Sequence, residues 1–195
     1  MGIGFVSLAS IQSWANTSRA DNSLLSSEQL QVYGDFIDSF SKMNFKFLSN
    51  TTFSLDLSTI RKDAACLQGI QLQDAEKTGK VVHSLDLQVL RGHSIRLIGE
   101  HEELAILKQR DAQIAAHGTD SVMDASGMTR DPGMLALSEL NFDKTGHFAI
   151  LKYVFLCGSH CNSGAILVLK KVGSRWTGTT RRACSVIVND EHPRS

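Results

Sequence analysis

One stretch of the chain is dense enough in reactive side chains to do chemistry: VFLCGSHCNSGAILVL, where Cys157 and Cys161 bracket Gly158, Ser159 and His160 between two apolar runs. Cys66 and Cys184 bring the cysteines to four. That set admits three chemistries. Cys157, His160, Cys161 and Cys184 could supply four N/S ligands to tetrahedral zinc. A thiolate at Cys157 or Cys161 with His160 as base could act as a nucleophile. An even number of cysteines is also what a disulfide framework uses. Spacing weighs against the first two. Structural zinc knuckles usually pair cysteines across two residues, whereas this turn has three, and no second close Cys/His pair follows. Neighbours in a tight turn rarely place a base against its nucleophile, and nothing here orients the imidazole. The favoured reading is disulfide bonding of Cys66, Cys157, Cys161 and Cys184, with no metal, no cofactor, and His160 as an exposed turn residue.

A second candidate is an acid/base pair. Glu139 and His147 flank the Asp143-Lys144-Thr145-Gly146 turn and could approach each other across it, either as catalytic groups or as a rim salt bridge. Asp35 with Asp38, and Glu102 with Glu103, are read as solvated helix faces. Phosphate-binding loops, the dinucleotide fingerprint, His-Glu-x2-His and Gly-x-Ser-x-Gly are all absent.

Composition narrows the classes further. The 195 residues are 42% hydrophobic and 21% charged, with 15 Gly and only 2 Pro, as in an ordinary folded domain. Twenty basic residues balance twenty acidic ones, so there is no electrostatic footprint for nucleic acid. No apolar run approaches the roughly 18 residues of a membrane span. Ile3 to Ala15 is mildly apolar and ends in Ser13-Trp14-Ala15, which suits signal peptidase but lacks a positive leader. Residues 1–24 are therefore read as a remnant signal segment or a flexible N-terminus, 25–190 as one domain, and 191–195 as a tail.

The elements that must position these groups follow from local pattern. Ser26 and Gln29 form a capping box, and Leu30, Tyr33, Ile37 and Phe40 recur on one face, predicting an amphipathic helix to about Met43. Extended chain is expected over 45–57, a short helix carrying Cys66 over 58–67, a polar loop over 74–80, short strands over 81–90 and 94–98, and a helix over 100–116 stopped by Gly118. The last third reads as four consecutive strands: LALSELNF, HFAILKYVFLC, AILVLKKV and WTGTTRRACSVIV. A turn at Gly173-Ser174 would lay Cys184 near Ala165, beside the CGSHC turn. On that geometry Cys184 pairs with Cys157 or Cys161, and Cys66 takes the other; a local Cys157–Cys161 bridge is the alternative.

The segment LSELNFDKTGHFAILKYVFLCGSHCNSGAILVLKKVGSRW resembles an uncharacterised family of secreted bacterial proteins, of the sort found in Acidobacteria. Ser138, Glu139, Phe142, Asp143, Cys157, Gly158, Cys161, Gly164, Lys170, Trp176 and Cys184 match its pattern, over roughly the last third of the chain. Asn162 stands where that family often carries Gly. The resemblance implies an exported, disulfide-bearing domain and no assigned activity.

These readings converge on an α+β domain with an N-terminal amphipathic helix and a C-terminal four-stranded antiparallel meander; an NTF2-like cone is the alternative arrangement. The expected function is that of a periplasmic or secreted non-enzymatic domain, binding an envelope protein or a small ligand through the sheet's open face. The competing expectation is a metal-dependent or acid/base hydrolase centred on Glu139, His147 and the CGSHC turn.

Overall fold

The computed structural model describes residues 24–40, 45–57, 65–73, 82–118, 133–156, 158, 162–179 and 184–188. The fold is α+β. Helix α1 spans Ser27–Phe40 and begins at a reciprocal cap: Ser26 N–H donates to Gln29 Oε1 at 2.8 Å, and Gln29 N–H to Ser26 Oγ at 3.2 Å. It buries Val32, Tyr33, Phe36 and Ile37. Strand β1 (Phe47–Ser49) is followed by single turns of 3-10 helix at Ala65–Leu67 and Leu87–Leu90, then by β2 (Arg96–Ile98) and helix α2 (Glu100–His117). The remaining strands are β3 (Met134–Leu137), β4 (Asn141–Phe142), β5 (Phe148–Leu156), β6 (Asn162–Val172), β7 (Arg175–Gly178) and β8 (Ser185–Val188).

These strands form one mixed sheet in the order β2-β1-β3-β5-β6-β7, with β4 also on β5 and β8 also on β6. β1 runs parallel to β2 and to β3, and the other pairings are antiparallel. Period-two alternation along β5 and β6 divides their side chains between two faces. Ala149, Leu151 and Leu169 join Trp176, Leu135, Leu137 and the α1 residues in the larger apolar cluster. Ile150, Ile166 and Val168 point the other way, into a smaller cluster with Leu55 and Cys66. The centre of the sheet is thus covered on both sides. The open face expected from sequence is closed by the segments that carry Leu55 and Cys66.

Several expectations change. The single strands expected over LALSELNF and WTGTTRRACSVIV are each two, β3 with β4 and β7 with β8. Leu87–Leu90, expected as strand, is a 3-10 turn because Asp86 caps it, accepting from Gln88 N–H at 2.7 Å. Asp35, expected on a solvated face, is 4% exposed. The sequence expectations for residues 1–23, 41–44, 58–64, 74–81, 157, 159–161, 180–183 and 189–195 lie outside the described residues.

Candidate functional site

Three polar groupings emerge among the described residues; Asp35 and Asp38 share one of them, through Arg91, whereas Glu139 and His147 fall in different ones. Glu139 and His147 are separated by the turn they flank. Asp143 Oδ1 accepts from the backbone N–H of His147 and of Phe148, both at 2.8 Å, while His147 Nδ1 lies 3.0 Å from Thr145 Oγ1. Gly146 takes the positive φ of 69° that the turn requires. His147 is therefore an exposed residue of a hairpin knot built on Asp143. Burial alone would raise the Asp143 carboxyl. Hydrogen bonds from the Thr145 hydroxyl and from the backbone of Phe148, Thr145 and His147 outweigh it and hold Asp143 below its ordinary value.

Glu139 meets His83 instead. It sits in the β3–β4 connection, 1% exposed, with Oε2 at 2.9 Å from His83 Nδ1 and Oε1 accepting His83 N–H at 2.9 Å. The Thr52 hydroxyl donates to the same Oε1. Behind it, Tyr33 donates its hydroxyl to Ser138 O at 2.9 Å, and burial with the nearby Glu139 charge pushes its phenol well above the ordinary value. Backbone bonds continue the same seam: Glu139 N–H to Phe53 O at 2.7 Å and Thr52 N–H to His83 O at 3.0 Å. A carboxylate on Nδ1 is how an acid–histidine pair orients a base. Here Glu139 chiefly fastens three chain segments, because both its oxygens are filled by protein donors and Thr52, the nearest hydroxyl, is bound to Glu139 rather than to the outer ring nitrogen. His83 carries no motif, so only the fold reveals it.

The cysteines are also rearranged. Cys66 is bonded to Cys184 across a sequence separation of 118. Cys184 N–H donates to Ile166 O at 2.9 Å, which sets Cys184 four residues along β6 from its start at Asn162, roughly 13 Å at the usual strand rise. Bonded to Cys66, Cys184 pairs with neither Cys157 nor Cys161. A zinc set of Cys157, His160, Cys161 and Cys184 loses one of its three thiolates, and with it the fourth ligand, to that disulfide. Cys157, His160 and Cys161 lie outside the described residues. Gly158 is buried against α2, where a Cβ would come within 2.8 Å of Asp111 Oδ1. Among the described residues, no group of three or more His, Cys, Asp or Glu side chains is gathered for a metal ion.

The third grouping was read as plain helix surface. Asp35 Oδ1 binds Arg91 Nη1 at 2.6 Å, and its Oδ2 accepts the backbone N–H of Trp176 at 2.7 Å. A helix carboxylate thereby caps the exposed edge of β7, a common way of protecting a sheet edge. Arg91, in the left-handed region at φ 46°, lies across Gly34 so closely that a Cβ there would collide with its guanidinium. Asp38 continues the network, with Oδ1 at 2.7 Å from His93 Nε2 and Oδ2 at 3.1 Å from Arg91 Nη1. The His93 hydrogen bond, followed by those from Arg91, holds the Asp38 carboxyl below its ordinary value. Beside this network opens a cleft of about 190 Å³ lined by Asp35, Asp38, Ser39, Arg175, Trp176 and Thr177. A signal existed in the Asp35/Asp38 spacing, but their cationic partners come from 50 or more residues away.

Comparison with protein-family models, curated proteins and solved structures finds no match to this chain.

Proposed function

We propose that this protein is an exported, non-enzymatic domain that binds a small ligand or an envelope partner, with the α1–β7 cleft as its binding place. The observation that carries this reading is the Cys66–Cys184 disulfide at the edge of the second apolar cluster. A covalent staple on an element too small to hold itself suits an oxidising compartment, since thiols in the cytosol are kept reduced. The resemblance of the last third to secreted bacterial proteins agrees with it. With the centre of the sheet covered on both faces, the polar cleft between α1 and β7 is the place for a ligand. The accompanying fold reading is an antiparallel C-terminal meander under the N-terminal helix, with an NTF2-like cone as the alternative arrangement.

The hydrolase reading has one observation in its favour, the Glu139–His83 pair. The test of the export reading is alkylation of the protein from cells without reductant, followed by peptide mass analysis. Cys66 and Cys184 are expected together in one disulfide-linked peptide pair. Recovery of both as alkylated free thiols would sink the reading.

A further inference from the structure

We propose that the outer edge of β8 is a self-association site, where the strand pairs antiparallel with β8 of a second copy of this chain. Backbone parity along β6 determines what that edge presents. Lys171 N–H donates to His147 O at 2.9 Å, so the odd-numbered residues of β6 bond toward β5 and the even-numbered ones turn their N–H and C=O groups the other way. Thr179 N–H on Val168 O at 3.1 Å and Cys184 N–H on Ile166 O at 2.9 Å agree. Ser185 and Ile187, opposite Ile166 and Gly164, therefore bond inward to β6. Val186 and Val188 turn their backbone N–H and C=O groups outward, and among the described residues β8 pairs with β6 alone.

The other two edges are defended. On β7, the outward N–H of Trp176 is taken by Asp35 Oδ2 at 2.7 Å. At the opposite end of the sheet, β2 is three residues long and carries Arg96, ion-paired to Glu102 at 2.6 Å. β8 has neither device. Its Ser-Val-Ile-Val run holds no charge and no proline, and such an edge is a template for another strand. The Cys66–Cys184 bond anchors the residue just before it, so the edge is held in place before a partner arrives and the ordering cost of association falls.

The occupant that fits is a second copy. An antiparallel pair centred on Ile187 sets Val186 opposite Val188 of the other copy and Val188 opposite its Val186, and each of these pairs exchanges both N–H···O bonds. A two-fold contact of this kind uses the same surface on both chains, so it closes at a dimer. Charge permits it: the strand is uncharged, and with twenty basic and twenty acidic residues the copies carry no net charge to hold them apart. A foreign strand would be selected by complementary charge, which this edge does not offer. Because a strand of four residues makes a contact well below the roughly 1,200–2,000 Å² of stable interfaces, the dimer is weak and reversible.

The test is sedimentation equilibrium of the full, disulfide-bonded chain from about 10 μM to about 1 mM, with amide hydrogen exchange read over the same series. The mass is expected to rise toward that of two chains and no further, while exchange of the Val186 and Val188 amides slows with it by about fivefold or more. Val186→Pro deletes an outward donor and none of the bonds to β6, at a place where an edge strand tolerates proline, so it is expected to weaken dimerisation at least about tenfold. Should that variant unfold, the exchange series of the unaltered chain decides alone. A chain that stays monomeric throughout would overturn the second copy as occupant; a short alternating Thr/Val peptide that then slowed the same two amides would mark the edge as a site for a foreign strand. A dimer protected elsewhere, or a mass that climbs past two chains, would overturn the proposal as well.

Discussion

Buried carboxylates are costly unless every oxygen is answered, and among the described residues Glu139, Asp143 and Asp35 are answered in different ways. Glu139 is met by an imidazole, a hydroxyl and a backbone amide drawn from two other segments. Glu139→Ala removes the acceptor of the His83 ring and leaves the His83 amide and the Thr52 hydroxyl only their bonds to each other's segment, at 2.9 and 3.1 Å, so it is expected to destabilise the protein by about 2 kcal/mol. Glu139→Gln, which keeps one acceptor oxygen, should cost less. Urea unfolding of the two variants checks this, and equal losses would refute the claim that the acceptor is what matters. Asp143 is met almost wholly by its own turn, and its carboxyl is held below the ordinary 3.8 in the folded state. A depressed folded value means that its contribution is fully present above 3.8 and disappears as pH falls through the lower folded value. Unfolding free energies of the protein and of Asp143→Asn, compared from neutral pH downward, should differ by a constant amount at first and converge in that acidic window. A difference that stays flat to the lowest pH would contradict the assignment. Asp35 is met by Arg91 and by the edge of β7, which makes one helix residue responsible for the protection of a strand.

At the scale of elements, the β5–β6 hairpin depends on one missing side chain. A Cβ at Gly164 would fall inside contact distance of Tyr153 O, and 3.1 Å from Val154 Cα, both backbone atoms of the paired strand that cannot swing aside. Gly164→Ala is therefore expected to cost about 2–3 kcal/mol, the upper part of the usual range for overpacking. Gly178 on β7 has nothing within 4 Å of its would-be Cβ, and Gly178→Ala should change stability by less than about 0.5 kcal/mol. Urea midpoints of both variants make the comparison; similar shifts would mean that strand propensity and not the close approach decides. The same contrast between local and distant contacts explains what was legible beforehand. The start of α1 lies in two residues, Ser26 and Gln29, and the Asp143 turn in the six from Asp143 to Phe148, so each could be read from a short window. Asp86 diverts Leu87–Leu90 from strand to 3-10 turn through one hydrogen bond, which leaves the apolar pattern of a strand behind it. The burial of Asp35 could not be read because Arg91 and Trp176 arrive from far along the chain. Glu139 was singled out for chemistry with the right kind of partner and the wrong histidine, since the nearer His147 is claimed by Asp143.

At the scale of the whole molecule, the sheet separates two cores of unequal size. The larger, under α1, gathers Tyr33, Phe36, Leu48, Leu135, Leu151 and Trp176. The smaller has Leu55, Cys66, Ile150, Ile166 and Val168 as its buried members. Cooperative packing alone can sustain the first, whereas the second gains a covalent tie between Cys66 and Cys184. In the chain-entropy account, closing a loop over a separation of 118 residues stabilises the fold by about 5 kcal/mol. Register decides which cysteine completes it: Ser185 pairs with Ile166 and the neighbouring Cys184 donates its N–H to Ile166 O, so that Cys184 packs against the cluster of Ile166, Val168 and Cys66. Loss of the bond should therefore be felt unevenly. In Cys66→Ser/Cys184→Ser, amide hydrogen exchange is expected to rise most over 65–73 and 184–188, while α1 and β3 keep much of their protection, because local opening is cheapest where few apolar contacts remain. The urea midpoint should fall at the same time. A uniform rise in exchange across both cores would show instead that the staple acts on the molecule as one cooperative unit, through the unfolded chain alone, and that the two faces of the sheet stand or fall together.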